Sequence, residues 1–295
     1  SDNMVTGFLS NSIVKGGVAP LFDNPQNYGL DYEDVTFTAK DGTKLSAWLV
    51  KGGTDKIIIQ SHFGVQACRA GFTPEGKGMV KLWNEKIPFL QHVKYLVEQG
   101  YSVLMYDFRS HGNSEDAKGN WVSWGPSEAQ DVVAAVDYVS QHPSYKKAQI
   151  GLLSICMGAA ATTYAYGSND LQKYDQIKAM VAIQPMRYLD FVKALGLPGF
   201  LQRWVNTENS KRVGFDMPTK SFKEDVEKIP VPTLLVQNDQ DEYLNKESIE
   251  AYYQSLGVEK DMLWLSGIGT KRAAGYDYLT KNPEKVLYWF DQHMD

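Results

Sequence analysis

Cysteine is scarce in this chain: two residues among 295, Cys68 and Cys156. Two thiols so far apart make no disulfide framework and lack the paired spacing of a zinc site, so no metal and no other cofactor is expected. Long apolar runs are missing as well, and no stretch reaches the ~18 residues that span a bilayer. There is no block of basic residues, and 30 Lys and Arg stand against 35 Asp and Glu for a net charge of −5. This excludes nucleic acid and anionic membrane as partners. The opening Ser1-Asp2-Asn3-Met4 has no basic region followed by an apolar core, so no signal peptide is expected. A reducing cytoplasm is then the simplest home for a reactive thiol. Internal repeats and low-complexity tracts are absent too.

What is present is a globular composition, 43% hydrophobic and 22% charged. The length fits one large α/β domain with a small cap. Residues 1–30 carry Gly16-Gly17, Pro20 and Pro25 with weak periodicity. They read as an irregular N-terminal arm with room for one short helix. Residues 31–295 read as the main domain. It opens on a hairpin over 34–50, turned at Asp41-Gly42. Buried strands follow over 56–60, 102–106, 149–153, 177–183, 232–237 and 262–265. Helices are expected over 87–99, from Pro126 to about 141, and over 245–256 and 283–294. Residues 186–228 break the alternation and read as a helical cap laid over the strand ends. Strands alternating with helices imply an eight-stranded, mostly parallel sheet with helices on both faces. Sites in such sheets lie beyond the carboxyl ends of the strands.

The most informative stretch is Ser154-Ile155-Cys156-Met157-Gly158, between a buried strand and the small residues that open a helix. It has the form of a nucleophile elbow. A thiol at a helix N-terminus is expected to lose its proton more readily than a free one. Three other stretches also follow strands: Gln60-Ser61-His62-Phe63-Gly64, Asp107-Phe108-Arg109-Ser110-His111-Gly112-Asn113-Ser114, and Gln237-Asn238-Asp239-Gln240-Asp241. Together the four resemble the α/β-hydrolase fold over roughly residues 30–295. The nearest likeness is to its dienelactone-hydrolase-like group, whose members can carry Cys at the elbow. The resemblance implies Cys156 as nucleophile and the main-chain N–H groups of Phe63 and Met157 as oxyanion donors. It implies Asp241 as the acid, with Asp239 as the alternative. His62 and His111 match structural positions, with His62 kept as a candidate for direct chemistry.

The chain departs from that pattern where the base belongs. The triad histidine of the fold follows the last strand, yet residues 266–278 contain none. Counting from Gly269 puts the slot at Thr270; counting back from Pro283 puts it near Gly275. Neither takes a proton near neutral pH. Lys271 or Arg272, turned inward, would favour a thiolate, and a free thiol is already about a few per cent thiolate at pH 7. Three readings stay open. The first is a cysteine-dependent acyl hydrolase or acyltransferase using a thioester, lactone or activated ester of a small hydrophobic acyl group. The second is a lyase, cyclase or isomerase that holds an enolate in the oxyanion hole while Tyr276, Tyr278 and Asp241 manage protons. The third is a silent ligand-binding protein. Ala273-Ala274 also leaves room for a residue replaced by design. The pocket over the elbow is expected to be aromatic, from Trp124, Phe191 and Trp204. The expected partner is a small-molecule acyl substrate; oligomeric state is left open, a homodimer included.

Overall fold

A computed structural model describes residues 2–78, 81–217 and 222–295. Eight strands form the central sheet: β1 (Tyr32–Thr38), β2 (Lys44–Val50), β3 (Lys56–Ser61), β4 (Ser102–Tyr106), β5 (Gln149–Ile155), β6 (Ile177–Ile183), β7 (Thr233–Asn238) and β8 (Lys260–Leu265). Their spatial order is β1-β2-β4-β3-β5-β6-β7-β8. Only β1–β2 and β2–β4 pair antiparallel; the rest are parallel. The central strands are continuous apolar runs because both faces are covered: Ile57, Ile58, Ile59, Val103, Leu104 and Met105 are all buried. Among the described residues ten helices flank the sheet. They are α1 (Asp2–Val14), α2 (Leu90–Glu98), α3 (Ala129–Gln141), α4 (Met157–Gly167), α5 (Tyr188–Ala194), α6 (Gly199–Val213), α7 (Lys223–Glu227), α8 (Lys246–Ser255), α9 (Ala273–Lys281) and α10 (Pro283–His293). Among the described residues no helix is long and apolar enough to cross a membrane.

Helix α4 is buried from Met157 to Tyr166. Its Gly-Ala-Ala-Ala-Thr-Thr run lets neighbouring elements approach, since a helix with no exposed face needs small side chains. Helix α10 begins with proline at its first turn, where the missing N–H costs nothing. Between β6 and β7 lie α5, α6 and α7; residues 218–221 of the expected cap fall outside the described residues.

The structure departs from the sequence reading in four places. The N-terminal segment holds a longer helix than expected before its irregular stretch: α1 runs for 13 residues and packs on α6. Its Ser10 hydroxyl bonds Asn209, and Arg212 donates to both Ser10 and Asn11 at 2.8 Å. These partners are some 200 residues away, so local periodicity does not reveal them. Helix α2 starts at Leu90, because Ile87–Pro88 joins a small antiparallel sheet with Ala67–Cys68 and Gly71–Phe72. Helix α3 starts at Ala129, because the buried Glu128 carboxylate instead closes the preceding turn, accepting from Ser123 Oγ at 2.6 Å and Gly125 N–H at 2.7 Å. The segment after β8 is only partly a loop and becomes helix α9 at Ala273.

Candidate active site

Cys156 sits between β5 and α4 with φ 53° and ψ −109°, a conformation that costs a non-glycine residue on the order of 1–3 kcal/mol. Its N–H donates to the Ile183 carbonyl at 2.8 Å, and its own carbonyl accepts from Ala160 N–H at 3.1 Å. The turn is possible because Gly158 has no side chain: a Cβ there would strike the main-chain carbonyl of Ser61 at the end of β3. That close approach brings the loop after β3 against the first turn of α4, where Gly64 lies beside the Met157 side chain. The N–H groups of Phe63 and Met157 make no hydrogen bond within the described residues. Cys156 is 3% exposed.

The position expected for histidine is filled by arginine. Arg272 is the last residue before α9, buried, and its guanidinium faces the Cys156 thiol. Nη1 pairs with Asp241 Oδ2, and Nη2 donates to the main-chain carbonyl of Gln184. Gln184 closes the arrangement by donating from Nε2 to the Arg272 carbonyl at 3.1 Å. Asp241 also accepts from Gln237 Nε2 at 3.1 Å and from Tyr243 N–H at 3.0 Å. Burial opposes the charge on Arg272, but Tyr276, Cys156 and Asp241 more than offset it and hold the guanidinium above its already high value. Neither Thr270 nor Gly275 is the residue in the slot. The chain turns into α9 before Gly275, and Gly275 serves a close approach, since a Cβ there would collide with the Gln184 amide. Lys271 points outward and is exposed. Asp239 takes the Ser266 hydroxyl at 2.6 Å, not Arg272.

Tyr276, on the first turn of α9, is the second group against the thiol. Burial pushes its phenol well above the usual range, against the opposing pull of Arg272. Neither Tyr276 Oη nor Arg272 Nε has a well-formed hydrogen bond, and both groups face the sulfur. The Tyr276 ring stacks on Phe63 with centroids 4.5 Å apart and planes 11° apart. His62 has no nitrogen left for chemistry. Its Nδ1 lies 2.7 Å from the Phe63 carbonyl and its Nε2 accepts from Phe108 N–H at 3.0 Å. Burial, with the charge of His111 next, drives it well below the ordinary histidine range.

The aromatic residues expected over the elbow are dispersed. Trp124 stacks on Phe191 with centroids 4.7 Å apart, but its indole N–H donates to the Ile13 carbonyl at 2.9 Å and so holds the end of α1. Phe191 also packs against Tyr243. Trp204 is 44% exposed beside the 53% exposed Phe200 on α6, because α6 turns its other side to α1.

A model of the family described as serine aminopeptidase, S33, matches residues 85–220. That interval holds the elbow and ends before Asp241 and Arg272. The esterase Pf2001 of Pyrococcus furiosus superposes with a TM-score of 0.68 at 22% identity, covering 96% of this chain and all of that one. The chain has the α/β-hydrolase fold. A dienelactone hydrolase of Anabaena variabilis shares this fold with a TM-score of 0.55 and 13% identity, covering 90% of this chain and 99% of its own. By sequence, the uncharacterized protein YfhR of Salmonella typhimurium is 25% identical over 166 residues, 54% of this chain. The chain spans about half the length of the curated relatives it matches. Among the described residues, Arg272 stands between Cys156 and Asp241.

Proposed function

We propose that the chain is a cysteine-dependent acyl-transfer enzyme that forms a Cys156 acyl-enzyme from a thioester, lactone or activated ester. One observation carries the reading: a guanidinium, not an imidazole, stands between Cys156 and Asp241. A guanidinium donates hydrogen bonds and accepts no proton. It therefore serves as counter-ion to a thiolate, with Asp241 fixing its orientation. The thiolate adds to the donor carbonyl, and the oxyanion is received by the N–H groups of Phe63 and Met157. One such donor is worth about 2.7–4 kcal/mol to the transition state. Collapse breaks the bond to the leaving group, which departs as a thiolate, or as an alkoxide that takes the Tyr276 proton; the proton lost by the acceptor thiol or amine then returns to Tyr276. The acyl-enzyme is then left with no general base in the usual place. Water attacks it slowly, whereas an acceptor that arrives nucleophilic, such as a thiol or an amine, discharges it. The likeness in fold to an esterase and a dienelactone hydrolase supports carbonyl chemistry at this edge of the sheet.

The test is intact-mass spectrometry with p-nitrophenyl acetate. The expected result is one acetyl adduct and a burst of one equivalent of p-nitrophenolate. Subsequent turnover should be at least tenfold slower than the burst, added cysteamine should discharge the adduct, and Cys156→Ala should form none. Absence of both adduct and burst in the wild-type chain, or turnover that survives Cys156→Ala, overturns the reading.

A further inference from the structure

The thiol of Cys156 is shut in. Cys156, Arg272, Phe63 and Tyr276 are all buried, so a substrate reaches the sulfur only if a covering group moves. Tyr276, which faces the sulfur, has Phe63 and Trp83 as aromatic neighbours. Its ring stacks on Phe63, and the Trp83 indole meets it at a centroid distance of 6.1 Å with planes 66° apart. The same indole meets Phe63 at 5.8 Å and Phe72 at 4.9 Å, edge to face in both cases. Trp83 is 6% exposed and Tyr276 not at all, so the indole is the outer of the two. These rings differ in how they are held. Tyr276 belongs to α9 and Phe72 to the small antiparallel sheet. Phe89, a further partner of Phe63, donates its N–H to the Ala70 carbonyl at 3.0 Å and accepts from Val93 N–H at 3.1 Å at the start of α2. Trp83 lies in residues 81–86, which belong to no helix or strand. Leu82 N–H donates to Gln66 Oε1 at 3.2 Å, and the Lys86 ammonium stands 3.9 Å from Glu75 and 5.9 Å over the Phe22 ring. Lys86 and Glu75 are both exposed, and an exposed ion pair adds little. A segment outside regular structure with so few ties opens at lower cost than a helix or a sheet. The indole can therefore leave while the rings around it stay. The space it leaves is walled by Phe63, Phe72 and Tyr276, and such walls receive the edge of another flat ring.

We infer that Trp83 closes the Cys156 site and sets its specificity: the substrate brings a flat aromatic group that takes the place of the indole between Phe63, Phe72 and Tyr276. That this group is the acyl part of the donor rests on the acyl-transfer reading; the place itself is measured without it. The probes are iodoacetamide and N-phenylmaleimide on the full chain, with labelling of Cys156 and Cys68 read separately by peptide mass spectrometry. In Trp83→Ala, N-phenylmaleimide should label Cys156 at least tenfold faster than in the wild-type chain. That gain should exceed the gain for iodoacetamide at least threefold. Labelling of Cys68, buried with its thiol 3.5 Å from the Pro20 carbonyl, should not change. Trp83→Phe, which keeps a ring in the same packing, should fall between the two chains. Labelling of Cys156 no faster than in the wild type, equal gains for the two reagents, or equal acceleration at both thiols overturns the inference whatever esters do at Cys156. With p-nitrophenyl benzoate and acetate, Trp83→Ala should raise the ratio of benzoyl to acetyl adduct at least fivefold, and an unchanged ratio overturns the placing of the acyl group there. Selective labelling of Cys156 by N-phenylmaleimide, with no acyl adduct from either ester, upholds the place of the ring and overturns the acyl-transfer reading alone.

Discussion

At the scale of single residues, the pair Arg272–Asp241 has to be separated into its structural and its chemical part. Both side chains are buried, Asp241 completely. Arg272→Gln leaves a buried carboxylate without its counter-charge, which costs on the order of 3–5 kcal/mol. Loss of reactivity in that variant alone therefore says little. Arg272→Gln combined with Asp241→Asn removes both charges and leaves two amides that can bond each other. We expect urea denaturation of the double variant to recover most of the stability lost by Arg272→Gln. Alkylation of Cys156 by iodoacetamide at pH 7 should nevertheless stay at least tenfold slower than in the wild-type chain. A double variant that alkylates at the wild-type rate would show that the guanidinium is not the counter-ion of the thiolate. The same two residues mark the limit of reading the sequence. Cys156, Gly158 and Asp241 are legible because each is tied to a strand end, and strand ends are fixed by continuous apolar runs. Arg272 was visible only as one of several candidates. Which of residues 270–276 points inward depends on where α9 begins, and moving a helix start by one residue rotates every side chain by about 100°.

At the scale of elements, the strands of the central sheet are legible, while the small sheet of Ala67–Cys68, Gly71–Phe72 and Ile87–Pro88 and helices α1 and α9 are not. Helix α9 contains Gly275, whose missing Cβ leaves room for the Gln184 amide, a partner some 90 residues away that local sequence does not show. Helix α1 has no strong apolar stripe of its own, and its anchors come from distant segments. Trp124 is the clearest of these, joining the loop after β4 to the last turn of α1. Trp124→Phe keeps an aromatic ring to stack on Phe191 but leaves the Ile13 carbonyl without its donor, at a cost of roughly 1–3 kcal/mol. Hydrogen–deuterium exchange should then speed up in residues 4–14 while β3 and β5 keep wild-type protection. Uniform acceleration across the sheet would mean that α1 is not a separately anchored element but part of the same cooperative unit.

For the whole molecule, three buried histidines set how stability responds to acid. His62, His92 and His111 are all fully buried or nearly so. Burial lowers each of them, His92 to about 3. A histidine lowered in the folded state contributes stability that is complete above the unfolded value near 6.5 and is lost as pH falls below it, because only the unfolded chain takes up the proton. Between pH 6.5 and 5 the lag is about 1.5 units for a group such as His92, or roughly 2 kcal/mol. Asp131 acts in the opposite sense. Burial raises it to about 7 against the pull of Arg109, so the folded state gains its proton first, and Asp107 is raised in the same direction. The histidines lose stability below pH 6.5 while the two carboxylates gain it, and we expect the three histidines to outweigh the carboxylates. The urea midpoint should fall between pH 7.5 and pH 5. His92→Gln isolates one contribution, since Gln can still bond the Gln60 amide that His92 Nε2 meets at 2.5 Å. Its loss of stability over the same interval should be smaller by roughly 2 kcal/mol. An identical loss in both chains would mean that His92 takes up its proton in the folded state as readily as in the unfolded one, and that the acid response comes from other groups.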